Sequence, residues 1–507
     1  MAIIDWLIVA LYAASTLALG WYFGRGQTDT KEYFVGSGRM NPILIGVSLF
    51  ATLLSSITYL AIPEEVVGKG PAYLSSYIAY PFVFLVVGFL ILPVYMRQRV
   101  SSAYELLEER LGLSVRLLGG VMFLVLRLVW MSLLVLKTAE ALAGMIGASE
   151  SKVPVIVVIT VAFAITYTSL GGLRAVVITD LMQTVLLYGG SLLVIGTITV
   201  KMGGFEWFPT EWQSDTWDSQ PFFSFDPATR VTVVGSILSV FLWTACTSAG
   251  DQVSVQRFMA TEDADSARRA IAIQLIVAII VGATLGLVGL ALVGYFQANP
   301  ELLPNGWTLR GQAKDILPHF IREHLPPVVT GLVVSGLFAA AMSSIDSGVN
   351  SITAVVTNDF RGRFGSKPDT DAQRLRFARL LAVGIGFLVV SMSMIIQFIP
   401  GNIMTVTNKT VNLLTVPIAL LFFFALYVPF AHARGVWVGA ICSVIVAALI
   451  AFSGFFSWLF FGADPEIDPV SFQWISPAAL VTGVVVGMLA CKMIPAPMES
   501  TPRDAAE

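Results

Sequence analysis

The densest polar pattern in the chain is Ala339-Ala340-Ala341-Met342-Ser343-Ser344-Ile345-Asp346-Ser347-Gly348-Val349-Asn350-Ser351. Ser343, Ser344, Ser347, Asn350 and Ser351 fall at i, i+1, i+4, i+7 and i+8, on one face of a 3.6-residue helix. Asp346 flanks that face. Such a row of oxygens inside an apolar stretch suits a small hard cation stripped of its water, provided that backbone carbonyls complete the shell. The bland alternative is helix packing through small residues. Five polar side chains and a carboxylate exceed what packing requires, so the cation site is the preferred reading.

The elements that must position this row are membrane helices. The chain of 507 residues is 56% hydrophobic and 12% charged, with a mean hydropathy of +0.80. An ordinary soluble domain carries about twice that share of charge. This composition excludes a soluble enzyme, a disordered chain and a nucleic-acid-binding protein. The net charge of −3 implies no electrostatic partner. At roughly 20 apolar residues per span, the sequence furnishes about thirteen transmembrane helices. Hydropathy predicts them near 4–23, 42–66, 74–95, 117–147, 154–170, 174–200, 229–250, 271–297, 327–358, 377–398, 403–428, 433–455 and 472–494. The linkers are short, so residues 1–507 read as one all-α polytopic membrane domain.

Two spans carry weak points where an apolar run should continue. In the second, Ser55, Ser56 and Thr58 precede Pro63; in the seventh, Thr244 and Thr247 lie in a small-residue patch that ends at Gly250-Asp251. A broken helix in lipid must line a cavity or pack against protein. These two spans head successive five-helix blocks (spans 2–6 and 7–11), the arrangement of a transporter with inverted repeats and a midplane site. The division is therefore 1–40 for an extra N-terminal helix and loop, 41–200 and 229–428 for the two repeats, and 429–507 for two C-terminal helices and a short tail.

Lys and Arg set the orientation. Of 30 in all, twenty fall in the loops after odd-numbered spans and in the tail, seven on the other side, and Arg127, Lys137 and Lys409 within spans. This bias places the C-terminus in the cytoplasm and the N-terminus outside. The acidic segments Phe205–Asp226 and Asp464–Asp468 then face outward. Asp180 lies inside the sixth span, where a charged carboxylate costs at least ~2.5–3.5 kcal/mol at the bilayer centre, which makes it a functional candidate. Lys137 and Glu140, at i and i+3, read as a structural pair. Arg127 and Lys409 have no local partner in the sequence. Either could receive an anionic solute, although snorkelling or burial against a distant Asp is the commoner fate of such a residue.

Several segments together resemble the sodium/solute symporter family over essentially the whole chain. The most specific runs from Tyr167-Thr168 through Gly171-Gly172 and Ala175-Val176 to Thr179-Asp180 and Gln183; Asp251-Gln252-Val253-Ser254-Val255-Gln256-Arg257, Ala340–Ser347 and Glu32–Arg39 add to it. The resemblance implies a LeuT-type fold and a principal sodium site. That site would take backbone carbonyls of Ala51, Leu54 and Ala340 and the hydroxyls of Ser343 and Ser344. Asp180 with Ser343 and Ser347 would form a second sodium site or an exit path, where Asp346 stands in place of a serine found in some two-sodium members. The solute cavity would draw on Ser55, Ser56, Thr58, Thr244, Thr247, Asn408 and Asn412. Sialic-acid carriers of the family use an arginine on the fourth span, and Arg127 sits about one turn from that position.

The implied function is secondary active symport of sodium with a small polar solute by alternating access, with no enzymatic activity. The segment Ser55–Gly70 looks closest to the branch that carries monocarboxylates, vitamins and iodide, which favours an organic anion. A sodium-coupled sugar or polyol carrier (glucose, galactose or myo-inositol) is the alternative. The third span weakens it, because Leu74-Ser75-Ser76-Tyr77-Ile78 lacks the carboxylate or amide usual in sugar-carrying relatives. A membrane sensor without transport is a remote reading, since the thirteen residues after Ile494 hold no signalling domain. The expected partners are sodium, the solute and the lipid bilayer. The chain is expected to function as a monomer in the plasma membrane, or in the cell inner membrane if bacterial. Cys246, Cys442 and Cys491 are far apart and suggest neither a disulfide nor a zinc site. His319, His324 and His432 form no catalytic cluster by spacing, and the first two are expected to act on a surface loop.

Overall fold

The computed structural model describes residues 1–24, 38–53, 55–98, 102–361, 370–397, 402–464 and 467–495. Its helices stand where the apolar windows predict them. The first span is Ile3–Gly24, and the second is the pair Pro42–Leu53 and Ser56–Lys69. The third is Pro71–Gln98 and the fourth Leu113–Ile146. Val153–Lys201 holds the fifth and sixth, and Val233–Gly250 and Ala264–Ala298 are the seventh and eighth. The remainder are Val329–Val355, Asp371–Ile396, Ile403–Tyr427, Ala433–Ala451 and Ile475–Met493. Among the described residues twelve helices are long and apolar enough to cross a membrane, and the bent pair of the second span supplies a thirteenth. No strand occurs among the described residues.

Side-chain contacts give the direction of each span. Along the ninth span, Asp5 packs on Gly331 and Tyr12 on Phe338, so the first span runs parallel to it. The fifth span does the same, with Phe163 against Phe338 and Tyr167 on Asp346. The sixth returns the other way: Asp180 meets Ser343, Leu186 backs Gly336, and Gly190 faces Val333. The chain therefore doubles back between Tyr167 and Asp180, at the short gap between the spans Glu150–Ser169 and Leu173–Lys201. The second and eighth spans run together, Gly46 on Ala270 and Gly289 on Val66. The twelfth and thirteenth are antiparallel along a seam where Gly439 meets Gly483 and Gly487, a backbone approach that a larger residue would block. Each pair fits strict alternation across a membrane.

The structure sharpens one expectation here. The seventh span is helical from Val233 through Gly250, and its break lies at the far end of the polar patch, at Asp251, in extended conformation before the helix Gln252–Met259. Asp251 stops one helix and starts the next, because its carboxylate accepts from the Val253 amide at 2.9 Å. His319 and His324 lie on a helix, Ala313–His324, between the eighth and ninth spans, their ring centroids 5.6 Å apart.

Asp5 illustrates how the ends are held. Its carboxylate accepts from the amides of Val328 (2.8 Å) and Gly331 (3.1 Å), capping the start of the ninth span. Lys409 is likewise not free: its ammonium meets Asp468 at 2.6 Å. The Lys137–Glu140 pair is present at 2.9 Å.

Candidate functional site

The second span ends its first half at Leu53 and restarts at Ser56, with a bend of 62°. Ser55 begins the second half as its N-cap, accepting from the Ile57 amide at 3.2 Å. Because the first half stops there, its last carbonyls, those of Phe50 through Leu53, lack partners within the helix. Those carbonyls carry the partial negative charge of a helix C-terminus, which favours a cation. Leu54, one of the expected sodium ligands, lies outside the described residues.

The ninth span faces this break with its serine row. Ser344 Oγ donates to the carbonyl of Thr52 at 3.2 Å, and Thr52 Oγ1 lies 2.9 Å from Ser347 Oγ. Ser343 Oγ donates to Asp180 Oδ1 at 2.5 Å, drawing the sixth span into the same cluster. Ala51, Ala340, Ser343, Ser344, Asp346 and Ser347 are all buried. The serines thus face protein oxygens rather than lipid. Ser351 continues the row onto Gln256 at 2.9 Å.

One resident cation sits at the edge of this cluster. Arg257, fully buried, pairs with Asp180 at 3.3 Å, donates to Ser347 Oγ at 2.6 Å and reaches Ser48 Oγ at 2.8 Å. Ser48 in turn donates to Asp180 Oδ2. Arg257 counts among the loop cations in the sequence reading, and that placement is wrong; without it the orientation bias is still nineteen to seven. The second carboxylate, Asp346, accepts from Tyr167 OH at 2.5 Å and from the Ser347 amide at 2.7 Å. Ser48, Thr52, Tyr167 and Arg257 are the members that sequence reasoning misses. Tyr167 and Arg257 lie in the segments that carry the family resemblance, but only tertiary partners bring any of the four to this site.

Beside the break lies a cavity of about 130 Å³ between the second, third, fourth, seventh, eighth and eleventh spans. Thr58, Thr244, Asn408 and Asn412 line it, as expected. Ser55 and Ser56 are not among its lining residues: Ser55 is spent on its cap, and Ser56 turns to Thr138 of the fourth span at 2.6 Å. The walls are largely aromatic, with Tyr73, Tyr77, Trp130 and Trp243, and Gln274 adds an amide. No spacing in the sequence marks these aromatics as lining one cavity. The indole N–H of Trp130 and Oγ1 of Thr244 and Thr407 are buried without a hydrogen-bond partner, as are Oε1 of Gln274 and Oδ1 of Asn412.

A second, smaller cavity of about 20 Å³ adjoins the first, sharing Leu53, Trp130, Trp243 and Val411. It holds Thr247 and also Arg127, which sequence reading leaves without a local partner. Arg127 Nη2 donates to Asp251 Oδ2 in a pair whose side chains are each 6% exposed. Among the described residues no group of His, Cys, Asp and Glu is arranged to hold a metal ion. The oxygen donors at the second-span break suit an alkali ion instead.

Comparison with known proteins agrees with this geometry. The statistical model of the sodium:solute symporter family matches residues 33–468. The sodium/sialic acid symporter NanT of Aliivibrio fischeri is 30% identical over 90% of this chain and 90% of its own. Human sodium-coupled monocarboxylate transporter 1 is 26% identical over 87% of this chain and 72% of its own length. Among solved structures, a Na⁺-coupled sialic acid symporter in a substrate-bound outward-open state superposes with a TM-score of 0.84. It is 26% identical and covers 98% of this chain and 99% of that one.

Proposed function

Because this chain belongs to the sodium:solute symporter family, a family of LeuT-type transporters rather than enzymes, we propose that it couples inward sodium movement to uptake of a small carboxylate-bearing organic solute. The observation that carries the solute site is the set of unpartnered polar atoms around the main cavity, contributed by Trp130, Thr244, Gln274, Thr407 and Asn412. A buried polar group without a partner costs about 1–3 kcal/mol. A polar solute would recover that cost for each group it meets. The aromatic walls would hold its apolar part.

Sodium enters at the notch between the second and ninth spans. The ligand set is the carbonyls of Ala51, Leu54 and Ala340 and the hydroxyls of Ser343 and Ser344. Asp180, with Ser347 and Asp346, forms the second ion position or the exit path, and Arg257 shares it. An ion bridging the two spans orders the second-span break, and Leu53 at that break also lines the solute cavity. Sodium thereby favours the solute-ready conformer, which is what coupling requires. The carboxylate class follows from Arg127 beside the cavity, and it matches what the named relatives carry. The chain acts as a monomer in the plasma membrane, N-terminus outside and C-terminus cytoplasmic, its repeats spanning 41–200 and 229–428.

The test is uptake into proteoliposomes under an imposed sodium gradient, with radiolabelled sialic acid, lactate, pyruvate, glucose and myo-inositol. Accumulation of a carboxylate that vanishes when potassium replaces sodium is the expected result. Accumulation of only the uncharged sugars would overturn the solute class, and no sodium-driven flux of any member would overturn the coupling.

A further inference from the structure

The Arg127–Asp251 pair lines the small cavity that adjoins the main one, and it is closed on itself. Arg127 is 5% and Asp251 6% exposed, and both line the small cavity that shares four residues with the main one. The arginine is only partly satisfied: Nε is buried without a hydrogen-bond partner, while Nη2 is taken by Asp251. Thr247 Oγ1, in the same cavity, is also unpartnered. The aspartate has a second task, since its Oδ1 accepts from the Val253 amide and starts the helix Gln252–Met259. The carbonyls that end Val233–Gly250 are held separately, by the hydroxyls of Tyr95 on Ala249 and of Tyr104 on Gly250. Helix ends on both sides of Asp251 therefore keep their caps if Oδ2 lets Arg127 go.

We propose that Asp251 is a resident anion that occupies Arg127 until the carboxylate of the incoming solute takes its place. The inference rests on the carboxylate reading of the cavity given above. Its consequence is electrostatic. The resting pair is neutral, so anion entry adds one uncompensated negative charge inside the protein, where such a charge is costly. Leu53 lines both cavities and ends the helix whose carbonyls face the sodium notch. A sodium ion in that notch is the nearest incoming charge able to offset the anion. The exchange thus makes anion affinity depend on sodium, and by reciprocity sodium affinity on the anion. It also excludes weak anions, because any ligand must outcompete a tethered carboxylate.

The experiment is equilibrium binding of radiolabelled sialic acid, lactate, pyruvate, glucose and myo-inositol to the purified full chain, at low and at saturating sodium. Wild type is compared with Asp251→Asn, whose amide oxygen retains the cap on Val253. If Asp251 leaves Arg127 free about a tenth of the time, removing its charge tightens carboxylate binding about tenfold at low sodium. The sodium dependence of that binding shrinks by the same factor, and sugar binding does not change. Asp251→Ser, which also keeps a capping oxygen, gives the same readout should the asparagine variant fail to fold. Arg127→Gln is expected to lose carboxylate binding in both sodium conditions. Unchanged or weaker carboxylate binding in both Asp251 variants, with wild type binding a carboxylate, overturns the exchange and leaves the carboxylate reading intact. A wild type that binds only the sugars overturns that reading, and the exchange with it.

Discussion

At the scale of single residues, the site is a set of oxygens and charges that make sense only in each other's presence. Asp180 stands alone in the sequence as a carboxylate within an apolar span. In the fold it is held by Ser343, Ser48 and Arg257, the last 77 residues away. Breaking a buried pair from one side leaves the other charge uncompensated, at about 3–5 kcal/mol. Asp180→Asn should therefore lower the melting temperature of the purified protein strongly in sodium-free buffer, and Asp180→Asn/Arg257→Met should recover much of the loss. A double variant no more stable than the single one would show that the pair is not what holds these spans. The serine row was legible because 3.6-residue periodicity exposes it. The partner of Asp180 was not, because nothing in a linear sequence separates a buried arginine near a helix end from a loop arginine.

At the scale of elements, the proposed function rests on the second span being discontinuous. Its break leaves carbonyls near Leu53 without helical partners and Thr58 on the main cavity, while Ser55 caps the restarting half. Removing such a cap costs about 1 kcal/mol. Ser55→Ala should raise the sodium concentration needed for half-maximal uptake several-fold while leaving the solute cavity chemically unchanged. Sodium titration of uptake checks this, and an unchanged half-saturation point would mean that the order of the break does not govern ion binding. The thirteen spans were readable from hydropathy to within a few residues at most ends. The reversal between the fifth and sixth spans was readable too, as the gap between the predicted spans 154–170 and 174–200. One feature was not. The seventh breaks only at Asp251, the last residue of its polar patch, because the Thr and Ser before it can satisfy helical carbonyls, as Ser248 does on Thr244 at 2.8 Å.

At the scale of the whole molecule, the question is how much work the ion gradient can do. One charge crossing 100 mV supplies ~2.3 kcal/mol, and a tenfold sodium gradient adds about 1.4 kcal/mol. One sodium ion could accumulate a neutral solute several-hundred-fold, but with a monovalent anion the electrical part cancels and roughly tenfold remains. Two sodium ions per anion would restore the electrical drive, which is why the cluster of Asp180, Asp346 and Arg257 bears on stoichiometry as well as stability. Orientation belongs to this scale too. The charge bias predicts that an epitope tag on the C-terminus of protein in right-side-out vesicles resists external protease until detergent is added. Immediate cleavage would invert the topology and every direction of transport inferred from it.

The central claim is that an alkali ion bound between the second and ninth spans moves with the solute. It is tested most directly by solute-dependent entry of ²²Na⁺ into proteoliposomes containing wild-type protein or Ser343→Ala/Ser344→Ala protein of verified fold. The account predicts that the transported carboxylate stimulates ²²Na⁺ entry into wild-type vesicles and that the double variant loses this stimulation by at least about tenfold, the effect of ~1.4 kcal/mol. Equal stimulation in both proteins, or solute entry into wild-type vesicles with no accompanying ²²Na⁺, would contradict it.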